Sequence, residues 1–432
     1  MDDGFVLPPP RPPPLLSPEA LHHLCTHGYL GLDLPHHLAA QYDQLLAASD
    51  AFFAQPPETK QLYRPGIGLG PQHRGPPTTA TNTERGYAHI AGEKEYLTLR
   101  KSMTHLPPGI YDAAAPLWHD TAHLLHRILG DIGVYLGLEP TAWDSVVADS
   151  LEPGSGVYDN AKGKAKAKET AGETDEARGA DRANSGRPNA HPRNDPPTLL
   201  RLFRYEPGGG GAEQHRDLGL LTLCVCWGKG LQVRPQPLLQ HAIDVNADPS
   251  QPLPPPPLPQ QQQQKPPSPS LPWLDAPRVT VMTGDTLHIL SSYRIPSALH
   301  RVVVDPLGET VESHDRPSDS DDQQDTDTPP SESRRSIVFA LRSTTAGDID
   351  LAAFGAHGSV GGRELYNSIR KSRVNINTNK ETRAAMRAEN ERARCAGNEA
   401  ETYAEPGRQA TSDNGESMDS DNAIEGELAG VA

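Results

Sequence analysis

Cysteine is scarce: Cys25, Cys224, Cys226 and Cys395 are all that the 432 residues contain. Four thiols in so long a chain make no disulfide framework, and Cys224-Val225-Cys226 has neither the spacing nor the partners of a zinc site. A reducing compartment fits this usage. Aromatic residues amount to 5% and hydrophobic residues to 35%, so a sizeable core can exist but cannot involve the whole chain. No apolar run approaches the about 18 residues of a membrane-spanning helix. The opening MDDGFVLPPPRPPP lacks the positive start and apolar stretch of a signal peptide. The expectation is a soluble intracellular protein, with the cytoplasm as its location.

A basic face is also missing. The net charge is −16, and two segments, 307–333 and 396–432, each hold nine acids against one arginine and so account for all of it. What remains is near neutral and offers nothing broad for a phosphate backbone, so nucleic acid is not an expected partner.

What the sequence has in excess is proline and glycine, 44 and 38 residues, about a fifth of the chain. One compact domain takes less. The proline run 8–14, the Lys/Ala/Gly-rich 152–197, the Pro/Gln-rich 235–272 and the Ser/Asp-rich 307–333 show no apolar period, and an acidic tail covers 396–432. Such compositions bury too little apolar surface to offset chain entropy, so they read as disordered insertions. Without them roughly 270 residues remain, within the range of one domain. The proline runs at 8–14 and 252–259 suit polyproline II, the ligand shape for SH3 and WW domains. A binding or scaffold protein is therefore the reading from a different class.

The packed part changes period along the chain. Residues 15–151 read as a mainly helical N-terminal region: Ser17-Pro18-Glu19 starts one helix, 35–53 is a second, and 114–136 carries an apolar face that stops at Gly137. Residues 198–350 hold short β-branched or alternating runs at 199–205, 221–227, 278–281, 286–290, 300–304 and 336–341. Short strands without intervening helices predict a sandwich or barrel. Residues 351–395 turn helical again, and 363–394 is too charged to be more than a surface helix.

His215-Arg216-Asp217 follows the glycine-rich turn Pro207-Gly208-Gly209-Gly210-Gly211. In an extended segment residues i and i+2 point to one side, so an imidazole and a carboxylate can close on one metal ion. With 18 histidines in the chain, about one His-x-Asp arises by chance. Weight comes from the context, since His300 opens the strand His300-Arg301-Val302 beyond the Gly284-Asp285 turn. Two histidines and one carboxylate leave three adjacent positions free, the arrangement of non-haem Fe(II) oxygenases, whereas a closed zinc site wants a fourth protein ligand. His288, mid-strand between Leu287 and Ile289, is a rival third ligand that reads more readily as a wall residue. His241, beside the Pro/Gln insertion, is a weaker rival.

A co-substrate with a carboxylate needs an arginine, whose planar fork takes both oxygens. Arg334 and Ser336 share one side of a strand and can grip the same group. Arg342 is the alternative, its plain reading being an exposed charge at a strand end. Tyr205 can add its hydroxyl, although a buried strand tyrosine is more often core.

In chain order, Arg204-Tyr205-x-Pro207, His215-x-Asp217, Gly230-Leu231-Gln232-Val233, Gly284-Asp285, His300-Arg301-Val302 and Arg334-x-Ser336-x-x-Phe339 resemble the isopenicillin N synthase-like branch of the 2-oxoglutarate/Fe(II)-dependent dioxygenases. Upstream, AFFAQPPETK at 51–60 and Glu84-Arg85-Gly86-Tyr87, followed by Gly92-Glu93-Lys94-Glu95, are similar to a helix end and the following loop of that family's N-terminal region. The resemblance implies a mainly-β core, a double-stranded β-helix or jelly roll of the clavaminate synthase-like kind, with flanking helices. It implies Fe(II) held by His215, Asp217 and His300, with 2-oxoglutarate as co-substrate, its distal carboxylate at Arg334, Ser336 and Tyr205. O₂ is then the oxidant, ascorbate a candidate reductant, and the substrate a small molecule. Hydroxylation is the default outcome, and an oxidase of the same fold that needs no 2-oxoglutarate is the runner-up. Asp217 argues against halogenation, because related halogenases replace the carboxylate. One departure stands out: His300 and Arg334 are 34 positions apart, a connection that is short in the family. An insertion can loop out here because closure entropy rises only slowly with length.

Overall fold

The computed structural model describes residues 13–65, 84–103, 106–153, 197–235, 271–304, 333–371 and 373–402, with side chains to 392. Most of the proline run 8–14, the run 252–259, His241, the Cys395 side chain, the acidic tail beyond 402 and most of the three long insertions lie outside the described residues. Two compact units divide the chain, Met1–Arg383 and Ala384–Ala432. Of the second, the described residues belong to one C-terminal helix. No described helix is long and apolar enough to cross a membrane.

Helix α1 (Pro18–His27) begins where Ser17 Oγ accepts from the Ala20 amide at 3.2 Å and ends at Gly28 in the left-handed region. Helices α2 (His36–Phe53), α3 (Pro57–Gln61), α4 (Ile110–Tyr135) and α5 (Asp144–Leu151) follow. α4 starts ahead of the 114 that its apolar face indicates and carries Pro116 inside it.

The large sheet contains β1 (Tyr29–Gly31), β2 (Gly86–Ile90), β3 (Lys94–Arg100), β4 (Leu199–Tyr205), β6 (Leu221–Trp227), β9 (Val279–Thr283) and β11 (Arg335–Leu341), in the order β1-β9-β6-β11-β4-β3-β2. The small sheet contains β5 (Ala212–His215), β7 (Leu231–Arg234), β8 (Leu274–Asp275) and β10 (Leu299–Val302), in the order β5-β10-β7-β8. All pairings in both are antiparallel. From β4 to β11 the chain passes back and forth between the sheets, with β7 and β8 the one consecutive pair in the same sheet. That winding is a jelly roll, mainly β with flanking helices.

Strand alternation divides the core in two. On β11, Ile337, Phe339 and Leu341 join the helix-side cluster, where Phe339 meets Trp118 of α4 edge-on at 5.0 Å. The opposite phase faces the small sheet, with Phe203, Tyr205, Cys224, Cys226, Leu231 and Val233 packed between the sheets. The metal-binding candidates belong to this inner side.

Three expectations need correction. The segment after residue 84, read as a loop in a helical region, is the β2–β3 hairpin and completes the large sheet. Residues 286–290 are not a strand but part of helix α6 (Asp285–Leu290). Its first amides donate outside the helix, Asp285 N to the Asp217 carbonyl at 2.8 Å and Thr286 N to Gly219 O at 3.1 Å. The surface helix read over 363–394 is two helices, α7 (Gly362–Lys371), which buries Leu365 and Ile369, and α8 (Lys380–Thr402), after a small hairpin of β12 (Asp348–Asp350) and β13 (Ser359–Gly361).

Candidate metal centre

β5 ends at His215, and His300 of β10 is its antiparallel partner. The approach depends on Gly211, where a Cβ would overlap the Val302 carbonyl oxygen. The two imidazole centroids are 4.1 Å apart. Asp217 follows on the loop into β6, held by the Asp285 amide on its carbonyl and by Gly284 lying on Gly219, where a Cβ would again overlap backbone. His215 Nε2 is 3.8 Å from Asp217 Oδ1, and His300 Nε2 is 3.9 Å from Oδ2. Three donor atoms within 4.8 Å of one another converge from two strands and a loop.

The tautomers fit a metal. His215 Nδ1 lies 2.8 Å from the Glu213 carbonyl and His300 Nδ1 3.2 Å from the Ala298 carbonyl. A carbonyl only accepts, so each proton sits on Nδ1 and each Nε2 turns a lone pair toward Asp217. Burial, and then the neighbouring His300, push His215 well below its ordinary value and keep it neutral. Burial opposes the charge on Asp217, but His300 and His215 outweigh it and hold the carboxyl below its usual range. Two imidazoles and a carboxylate suit a divalent transition ion and leave its remaining positions open. His288 takes no part: it sits on α6 with Nδ1 2.6 Å from the Ile295 carbonyl.

Arg334 precedes β11, 5% exposed, its carbonyl accepting from the Tyr205 amide at 2.8 Å. Its Nε donates to the Lys229 carbonyl at 2.9 Å, Nη1 to Ser336 Oγ at 3.5 Å and Nη2 to Cys226 Sγ at 3.1 Å. The guanidinium lies 4.9 Å from the Tyr205 ring centre. Among the described residues no carboxylate stands within ion-pair distance of it. A buried cation so placed calls for an anion. Burial pushes the Tyr205 phenol up to about 12, so it stays a donor. The Cys224 thiol, 3.5 Å away, and Arg334 lower Cys226 to about 7. A cavity of about 530 Å³ lined by Cys226, Lys229, Leu231, Arg278 and Arg335 lies beside this arginine, and none of the three metal-binding candidates lines it.

Arg342 differs from its expected role as an exposed strand-end charge. It is buried, with Nη1 3.1 Å from Glu84 Oε2 and 3.3 Å from Tyr366 Oη. Its partner Glu84 also pairs with Arg100 at 2.6 Å.

Sequence reasoning does not single out several other residues near the inner face. Lys94 of β3 is fully buried, 5.8 and 5.9 Å from the Phe203 and Tyr205 ring centres, and burial brings its amine down to about 7. Its Nζ reaches the Ile376 carbonyl at 3.4 Å, and Tyr96 Oη donates to the Asn377 carbonyl at 2.8 Å. Arg383 pairs with Glu93 at 2.7 Å and Glu213 at 2.9 Å. These bonds tie 376–383 to the β3 and β5 ends of the roll. The signs in the sequence are that Glu93 and Lys94 belong to the Gly92-Glu93-Lys94-Glu95 stretch and that Lys94 alternates in phase with Tyr96 and Thr98. On the helix side, the 51–60 and 84–95 motifs meet in a buried network: Lys60 Nζ lies 2.7 Å from Glu95 Oε2, Tyr87 Oη donates to the same oxygen at 2.8 Å, and Arg204 pairs with Glu95.

No family model matches the chain, and no curated protein matches it. Among solved structures it is similar to a full-length Neurospora crassa protein crystallised in complex with alpha-KG, at 18% identity over 82% of this chain and 88% of that one, with a TM-score of 0.46. It is also similar to a putative 2OG-Fe(II) oxygenase family protein of Caulobacter crescentus, at 17% identity over 82% and 93%, TM-score 0.47. A dioxygenase for auxin oxidation from rice matches at 14% identity over 82% and 88%, TM-score 0.43. At identities and scores of this size, the likeness bears on neither reaction nor substrate.

Proposed function

We propose that the chain is an Fe(II)- and 2-oxoglutarate-dependent oxygenase of the isopenicillin N synthase-like kind that oxidises a small organic molecule, with hydroxylation as the default outcome. One observation carries the reading: His215, Asp217 and His300 converge with their metal-binding atoms facing inward, on the same inner side as a buried arginine with no carboxylate partner among the described residues. Fe(II) held by these three residues, with 2-oxoglutarate and O₂, would supply the oxidation, with one oxygen atom going to the substrate and the other to succinate as CO₂ is lost.

The chain's own part is placement. Main-chain carbonyls at Nδ1 of His215 and His300 orient both rings so that Nε2 faces Asp217 and the metal position. Asp217 brings a single negative charge, which leaves a divalent ion positive enough to attract an anionic co-substrate. Arg334 and Ser336 hold that co-substrate's distal carboxylate by charge and hydrogen bond, with the protonated Tyr205 beside them.

Full-length protein loaded anaerobically with Fe(II) should gain a visible charge-transfer absorption on adding 2-oxoglutarate. In air, with ascorbate, it should release labelled succinate, and His300→Ala should do neither. Iron binding without uptake of 2-oxoglutarate would favour the oxidase reading. Failure to bind Fe(II) would overturn the metal centre.

A further inference from the structure

The same donor set occurs a second time, on the helix side of the large sheet. His119 and His123 stand one turn apart on α4, and Glu152 follows α5. Their rings are 4.4 Å apart, and both Nε2 atoms approach one oxygen, Glu152 Oε1, at 3.4 and 3.2 Å. All three donor atoms lie within 4.8 Å of one another.

Two further features separate this group from a chance meeting of surface charges. His119 Nδ1 is 2.9 Å from Asp120 Oδ1, and Asp120 Oδ2 accepts from Gln41 Nε2 at 2.7 Å. A carboxylate on Nδ1 fixes the proton there and turns the Nε2 lone pair toward Glu152, the support that metal-binding histidines have. The helix that Glu152 follows is itself anchored. Trp118 Nε1 donates to the Ser150 carbonyl at 3.0 Å in the buried layer, and His126 Nε2 lies 2.8 Å from Asp144 Oδ1 at the other end of α5. α5 is thus tied to α4 at both ends.

We propose that His119, His123 and Glu152 form a site for a divalent transition cation such as Zn(II), separate from the centre in the jelly roll. Imidazole nitrogen favours Zn(II), Ni(II) or Cu(II) over Mg(II) or Ca(II), and three protein ligands leave a place for water. The side chains are 46%, 43% and 61% exposed, so the ion enters from solvent. Once bound it staples the end of α5 to α4. The site stands whether or not the oxygenase reading does.

The test is Zn(II) stoichiometry of the chelator-treated full chain, measured by competition with a chromogenic chelator. The His119→Ala/His123→Ala variant should bind one equivalent fewer than wild type, His300→Ala one fewer by a separate loss, and the triple variant two fewer. Asp120→Asn should keep the stoichiometry and weaken the α4 site about tenfold or more. Zn(II) should raise the melting temperature of His300→Ala and leave that of the triple variant where it was. Glu152→Gln, which leaves α4 untouched, checks that the loss does not come from misfolding. Equal stoichiometry in wild type and the α4 double variant would overturn the proposal, as would loss of all Zn(II) from His300→Ala.

Discussion

The two His-His-carboxylate groups among the described residues differ in what holds them. In the roll, His215 and His300 are cross-strand partners whose Nδ1 atoms rest on main-chain carbonyls, so ring orientation follows from strand pairing. On α4, helical spacing brings the rings together and side chains, Asp120 and Glu152, orient them in contact with water. The inner site is fixed by backbone and the outer by replaceable side chains. Metal affinity should therefore depend on backbone packing at one and on solvent-screened contacts at the other.

The largest expected effect is on turnover. Asp217→Ala or His300→Ala should weaken Fe(II) binding by an order of magnitude or more and stop 2-oxoglutarate-dependent succinate release, while His123→Ala leaves release unchanged. Succinate assays on the three purified variants decide this, and loss of release in His123→Ala would mean the two sites are coupled. Next is Gly284→Ala, which removes no candidate ligand. Its Cβ would strike the Gly219 carbonyl and push α6 off the loop that carries Asp217. Isothermal titration should show Fe(II) binding lost at the inner site with Zn(II) binding retained at the outer one. Undiminished Fe(II) binding would show that the loop does not need this contact.

How far the sequence reveals these sites follows from where each partner lies. The 199–205, 221–227 and 336–341 strands are apolar on both faces because helices cover one side and the small sheet the other, so they are visible without context. β2 and β3 are hidden because Lys94, Glu95 and Arg100 look like loop charges until Ile376, Lys60, Arg204 and Glu84 are brought to them. α6 reads as strand because its first amides are satisfied by the Asp217 loop, a contact no local pattern records. Arg342 looks exposed because Glu84 lies 258 residues away in the chain. The inner histidines and aspartate can be picked out by order and strand context. At the outer site only the His119/His123 spacing is local, and the convergence of Glu152 is tertiary.

A smaller effect separates the two arginines. Arg334→Leu should raise the 2-oxoglutarate concentration needed for half-maximal turnover by about tenfold or more, consistent with loss of one charge-assisted contact of roughly 1.5–3 kcal/mol. Melting temperature should change little, since no described carboxylate depends on Arg334. Arg342→Leu should do the reverse: Glu84 loses a buried partner and the protein melts earlier, with the 2-oxoglutarate requirement unchanged in the protein that remains folded. If Arg342→Leu alone shifts the requirement, Arg342 and not Arg334 holds the co-substrate.

The smallest effect sets buried Lys94 against the solvent-facing histidines. Burial lowers its amine from the usual 10.5 to about 7, so between those values the unfolded chain binds more protons than the folded one. Stability from this group should rise with pH across that window and be lost as pH falls back toward 7, at no more than about 1.4 kcal/mol per pH unit. Cys226 titrates near the lower edge, so the informative quantity is wild type minus Lys94→Met, measured by urea unfolding at pH 7, 8 and 9. Methionine fills a similar length without a charge, so Lys94→Met should be the more stable protein at pH 7 and that advantage should shrink steadily through pH 8 and 9. A difference that stays constant with pH would mean Lys94 keeps its proton in the fold, held by the Ile376 carbonyl and the faces of Phe203 and Tyr205. The inner side of the roll would then carry a fixed positive charge near the metal centre.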